Sequence, residues 1–296
     1  MLRRLTGMDL SVSKLRELAL DYGEGCLRMQ EEAVRDLRSY PVRTPKDGET
    51  ETVHTLFCML DGTGAPCTKK DTAGTKGKNG AAGTRQIRVA LFGEYGWLDN
   101  KGRPMPFRGS FSYAVSGEEI SEVSGLVRKL GVARGYGTAA RMQCVADGEE
   151  ALEKALHDAF PSAIFTNDFM HASAHLHASC QNLGLPAEEA GKEYRFLRGL
   201  LYRSGAAAVI KRLEAKYAIA LAISPEADKE LDYIRKRKEN MCYGQLRKHG
   251  LFIASGHVEA AARVLVVRRC KQAGMLWRHK NAIRISAILA HLRSAA

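Results

Sequence analysis

Two Asp-Gly pairs in this chain, Asp61-Gly62 and Asp147-Gly148, each close an apolar stretch, "VHTLFCML" before the first and "RMQCVA" before the second. An apolar run that stops on an aspartate reads as a strand whose carboxylate emerges at the rim of a sheet. Alone, either pair makes an ordinary turn. If the two strands lie side by side, however, the carboxylates meet and repel each other. A divalent cation relieves that repulsion, and Mg²⁺ favours one or two carboxylates together with phosphate oxygens. A third acid would complete a two-metal site suited to phosphodiester chemistry. Glu259 is the candidate, as the only acidic residue between positions 240 and 296. It lies at the start of an Ala- and Val-rich helix, where Val258, Ala262 and Leu265 could pack on a sheet. Its competing role is an i,i+4 pair with Arg263, worth about 0.2–0.5 kcal/mol.

The elements that would position these acids follow from the apolar periods. Residues 9–38 show helical spacing, interrupted by Gly23 and Gly25, and Pro41 and the polar stretch "RTPKDGETE" end this leader. Three strands are predicted at 53–60, 87–93 and 111–117. The Gly-, Lys- and Thr-rich stretch between the first two reads as a mobile basic loop. A helix, a strand at 141–148, a second helix and a strand at 162–168 follow, giving the order β-β-β-α-β-α-β of an α/β sheet. From His171 to about Arg247 every segment reads as helical. The segment after Ser255-Gly256 begins another helix, and a final helix closes the chain.

Charge is distributed unevenly. The formal net charge is +12, and from Arg235 onward 14 basic residues face only Glu239 and Glu259, so this end carries the whole excess. A basic end on a neutral body points to a polyanion, DNA or RNA, ahead of a solvated face. Lys69, Lys70, Lys76, Lys78, Arg85 and Arg88 after Asp61, with Arg263, Arg268, Arg269 and Lys271 on the glutamate's helix, are the expected phosphate contacts. The seven cysteines are scattered and form no C-x-x-C pair, which fits a reducing cytoplasm and neither a disulfide framework nor a cysteine zinc site. No apolar run reaches the ~18 residues of a membrane span, and "MLRR" is followed by no apolar signal segment. His171, His175 and His177 raise a zinc site as an alternative, but without a cysteine partner they read as structural histidines. Trp277 reads as a helix anchor ahead of a base-stacking residue.

The motifs "MLDGTGAP", "VADGEEALEKALHDAFPSAIFTNDFMHASAHL" and "GLFIASGHVEAAARVLVVRRCKQAGMLW", in this order, resemble those of RNase H-like DDE transposases of bacterial insertion sequences, in the mutator-related group and its ISKra type. The resemblance covers roughly residues 50–296. It implies an RNase H-like mixed sheet flanked by helices, with an all-helical insertion before the catalytic glutamate. The core would span 50–170 and 251–296, and the insertion 171–250. Asp61, Asp147 and Glu259 would be the catalytic and metal-binding triad for two Mg²⁺ or Mn²⁺ ions, and the D-x-x-H of Asp168 and His171 a supporting motif. Its partners would be the double-stranded DNA of element ends and target, bound by a homo-oligomer. Such enzymes carry a longer N-terminal portion, so residues 1–45 read as the remnant of an N-terminal DNA-binding domain and the chain as a truncated copy. The rival expectations are a structure-selective RNase H-like nuclease that cuts without joining, and a domesticated, non-catalytic DNA-binding protein.

Overall fold

The computed structural model describes residues 10–35, 55–77, 80–81, 83–117, 120–137, 139 and 141–294. A five-stranded mixed sheet forms its centre. The strands are β1 (Thr55–Pro66), β2 (Thr84–Leu98), β3 (Pro104–Ser116), β4 (Arg141–Ala146) and β5 (Ile164–Asn167). They lie in the order β3-β2-β1-β4-β5. The first three pair antiparallel, as hairpin connections allow. Strands β1, β4 and β5 pair parallel, joined by helical crossovers.

Both faces are covered, which is why β1 and β4 read as largely apolar runs. On one face Leu56, Cys58 and Leu60 pack with helices α2 (Ile120–Ala133) and α3 (Glu150–Ala159). On the other, Phe57, Met59 and Val145 pack with α9 (Gly256–Ala262) and α10 (His279–Arg293). Between β5 and α9 lies a helical unit with its own apolar cluster. It comprises α4 (Phe169–Gln181), α5 (Ala187–Ser204), α6 (Ala206–Ile223), α7 (Pro225–Lys236) and α8 (Tyr243–Lys248).

Three local expectations change. The leader is one continuous helix, α1 (Val12–Arg35), and the two glycines do not interrupt it. Gly23 instead permits close packing, since a Cβ there would stand 2.5 Å from the Arg284 carbonyl oxygen of α10. Cys26 is buried in the sheet's core, and Gln30 bonds both backbone groups of Val115, so the described leader is joined to the sheet. Second, β1 does not end at Asp61. Strand β2 is long enough to pair with it as far as Pro66, so the ladder carries the strand past the aspartate. Third, the basic loop contains a helical turn, Lys69–Thr72, and a short hairpin, Lys76–Gly77 with Gly80–Ala81. Asp71 anchors it: its carbonyl accepts from Arg85 and its carboxylate pairs with Arg278 at 2.8 Å. Trp277 is packed against the core and donates its indole N–H to the Cys270 carbonyl, an anchoring role.

Candidate active site

The position of Asp61 follows from unequal strand lengths. Parallel pairing of β1 with β4 runs from Thr55–Arg141 to Met59–Val145, and β4 stops at Ala146. Two residues further along, Asp61 still pairs with Val89 of β2, but its other side opens onto the loop of Asp147. Alternation along a strand puts it on the face of Phe57 and Met59. That face is the one covered by α9, which carries Glu259.

Asp61 lies within electrostatic range of both other acids. The Asp61 carboxyl is pushed up to about 6, first by burial and then by the charges of Asp147 and Glu259. The Gly62 N–H, donating at 2.7 Å, and the His171 charge oppose the rise without cancelling it. Arg263, the alternative partner of Glu259, forms no ion pair with it among the described residues.

The helical unit holds the Asp147 loop from outside. Tyr233 of α7 donates its hydroxyl to the Asp147 carbonyl at 2.5 Å, and Arg237 donates to the Gly148 carbonyl at 2.8 Å. Arg237 also pairs with Glu153 at 3.0 Å and lies over the Tyr233 ring. Gly148 sits at φ 94°, and a Cβ there would collide with the Tyr233 hydroxyl, so glycine is required on both counts. Within the loop, the Asp147 carboxylate accepts the Glu149 N–H at 2.9 Å.

Glu259 is placed through the chain's return to the sheet. Gln143 of β4 is fully buried and hydrogen-bonds both backbone groups of Phe252, the Tyr95 hydroxyl and the Thr166 hydroxyl. This fixes residues 252–253, and Ile253 accepts from the Phe169 N–H at 2.8 Å. Ser255 comes next, its Oγ 3.0 Å from Asp168 Oδ2 and 2.9 Å from Glu259 Oε1. A hydroxyl has one proton, so it donates to one carboxylate at a time.

Asp168 is the opposite kind of acid. It caps α4, taking the His171 backbone N–H at 2.8 Å and its ring Nδ1 at 3.1 Å on Oδ1. The Ser255 N–H at 2.6 Å and the hydroxyl approach Oδ2. Burial alone would raise this carboxyl, but the donors of His171 and Ser255 outweigh it and hold Asp168 below the ordinary carboxylate value. His171 is raised in turn, chiefly by its bond to Asp168 and further by the charges of Asp147 and Glu259.

Asp168, His171 and Glu259 bring one ligand atom each within 4.8 Å of one another, a group that could hold a metal ion. The expected set Asp61, Asp147 and Glu259 does not form such a group among the described residues: Glu259 is shared, and Asp61 is linked to Asp147 and Glu259 through their charges. His175 and His177 point elsewhere, onto Tyr233 with Glu230 and onto Tyr194.

The expected phosphate contacts differ in how far the protein itself engages them. Lys69, Lys70, Arg263, Arg268 and Arg269 are exposed. Lys271 reaches Thr63, two residues beyond Asp61, at 2.9 Å. Arg85 and Arg88 are engaged inside the protein, Arg88 with Glu149 through two bonds of 3.0 and 3.1 Å beside Gly62. Lys76 lies in the short hairpin, and Lys78 falls outside the described residues. Sequence reasoning assigned no role to Tyr233, Arg237, Gln143 or Ser255. A signal existed only for Gln143, a lone amide in an apolar strand, and for Ser255, which with Gly256 precedes the helix of Glu259. Compared with known proteins, the chain matches no family model and no curated protein.

Proposed function

We propose that this protein is a DDE transposase with an RNase H-like core. It would cleave DNA at an element end to free a 3′-hydroxyl and then join that hydroxyl to a target phosphodiester. The observation that carries the reading is the place of Asp61, past the end of its pairing with β4 and on the sheet face covered by the helix of Glu259, where Asp147 and Glu259 add like charge. Such a set of acids fits a divalent cation, which relieves the repulsion that adds to the effect of burial on Asp61. The strand order β3-β2-β1-β4-β5, with the helical unit between β5 and the glutamate's helix, supports the RNase H-like part. The motif resemblance supports the choice of reaction.

Asp61, Asp147 and Glu259 would hold two Mg²⁺ or Mn²⁺ ions, which supply Lewis-acid stabilisation at phosphorus and an activated water. Asp61 contributes a fixed anionic oxygen from a hydrogen-bonded strand, so little reorganisation is required. Tyr233 and Arg237 immobilise the backbone that carries Asp147. Ser255 orients Glu259, and His171 brings positive charge toward the acids. Lys271, bonded to Thr63, would meet a phosphate entering the rim.

The test uses the full chain and labelled duplexes ending in the element's terminal sequence, with Mg²⁺ or Mn²⁺. The expected products are a nicked end and, with target DNA, a joined strand. Asp61→Asn and Asp147→Asn should abolish both while leaving circular dichroism and gel-filtration behaviour unchanged. Undiminished cleavage by either variant would refute the assignment, and cleavage without joining would favour the nuclease alternative.

A further inference from the structure

On the far side of the segment that carries Ser255 lies a second feature, which the acids do not use. A cleft of about 610 Å³ opens between the β2–β3 hairpin tip, the ends of α5 and α8, and residues 251–257. No acidic residue lines it. Of its cations, Arg103 is neutralised by Asp99 at 2.7 Å. Lys101, Arg203, Arg247 and Lys248 have no carboxylate partner among the described residues. His257 adds no charge at neutral pH, because burial and the nearby Arg108 hold it below its ordinary value. Two of these cations come from outside the basic C-terminal end, so their convergence is a product of the fold.

Arg203 and Arg247 lie in the last turns of α5 and α8, where a cation gains ~0.3–1 kcal/mol from the helix dipole. That gain explains each singly. It does not explain why three elements direct cations into one concavity that contains no counter-charge. The wall is suited to an aromatic ring as well. Leu251 and Phe252, both largely buried, line its floor, and the Arg247 guanidinium lies over the Tyr202 ring at 3.8 Å, a ledge on which a base can stack.

We propose that this cleft binds an unpaired nucleotide of a nucleic-acid strand, its phosphates among Lys101, Arg203 and Lys248 and its base against the Tyr202–Arg247 ledge. The concavity has the size of a small-ligand pocket and is too confined for a duplex. Gly256 and His257 line it within one helical turn of Glu259, so a strand held here lies along the segment that positions the glutamate. The inference deepens the reading of the acids as a DNA-processing site and rests on it.

The experiment measures binding of a labelled single-stranded oligonucleotide and a blunt duplex to the full chain in EDTA, across a salt series. It compares the wild type with a triple variant, Lys101→Gln, Arg203→Gln and Lys248→Gln, all exposed positions. The expected result is a loss of at least about tenfold in single-strand affinity. The salt slope should fall by about two units, at ~0.7 per phosphate, with a smaller effect on the duplex. Equal losses for both forms would make the cleft a general basic surface and overturn the inference, as would unchanged single-strand binding. Full displacement of the oligonucleotide by equimolar mononucleotide would also overturn it, in favour of a small-molecule site. A wild type that binds neither form of DNA would instead refute the transposase reading. The two failures are therefore distinct.

Discussion

The sheet rim around Asp61 and the helix cap around Asp168 hold the same side chain in opposite states. Both carboxyls are largely withdrawn from water, yet Asp61 is raised to about 6 and Asp168 is lowered. The difference is the supply of donors. Asp61 has one backbone N–H and two like-charged neighbours, whereas Asp168 receives donors on both oxygens. Burial alone therefore does not mark a functional acid. Anionic charge that the protein itself leaves uncompensated does, because it can be satisfied from outside.

The sharpest way to break this comparison is to neutralise each acid in turn. Asp61→Asn should lower metal-dependent cleavage on the order of 10³-fold or more, since a metal ligand contributes several kcal/mol at the transition state. It should not destabilise the metal-free protein. Asp168→Asn should do the reverse at the level of folding: an amide offers its own donors to a cap already filled with them. A loss of about 2–4 kcal/mol in urea unfolding is expected. If Asp168→Asn unfolds like the wild type, the distinction between the two acids fails.

The pH dependence gives a subtler test. A carboxyl whose folded value lies above its ordinary one contributes stability at low pH, and that contribution is lost as pH rises through the folded value. For Asp61 the window runs from about 4 to about 6. His171, also raised, acts in the same direction, whereas the lowered Asp168 loses its contribution only in more acid solution. The metal-free protein should therefore melt about 2–4 °C lower at pH 7.5 than at pH 5. Asp61→Asn should remove most of that difference and Mg²⁺ should reverse it in the wild type, both read by calorimetry.

The smallest effect belongs to the support of Asp147. Tyr233→Phe deletes one hydrogen bond to the Asp147 carbonyl, worth about 1 kcal/mol. It should reduce kcat severalfold with KM for DNA unchanged. A change in KM alone would mean that Tyr233 contacts substrate and does not position the loop.

How much of this was legible beforehand depends on range. The five strands, their sequence order and the two Asp-Gly pairs follow from apolar runs and turn residues, which are local. The run of β1 past Asp61 was not legible, because it is set by the length of β2, a partner more than twenty residues away. Tyr233 and Arg237 sit in a charged helix, and nothing in "EADKELDYIRKRKEN" shows which two residues reach the Asp147 loop. Charge counting had a similar limit. Arg235, Arg237, Arg278 and Arg284 of the basic end are paired inside the protein, while Lys101 and Arg203, far from it in sequence, help form a cleft with no acidic lining residue.

The contact between Asp168 and Ser255 joins residues 87 positions apart. It brings the two stems of the helical unit together, so the unit leaves and re-enters the sheet at nearly one point. During synthesis both aspartates of the rim exist long before the glutamate does. Closing a loop of this length costs only logarithmically more than closing a short one. The stretch of α5 and α6 could therefore lengthen or shrink at modest thermodynamic cost, whereas α7 is tied to the rim by Tyr233 and Arg237. An ancestral chain could thus acquire the unit without dismantling the acid cluster, provided that one helix still reached the Asp147 loop and its last residues still presented a serine to the aspartate where it departed.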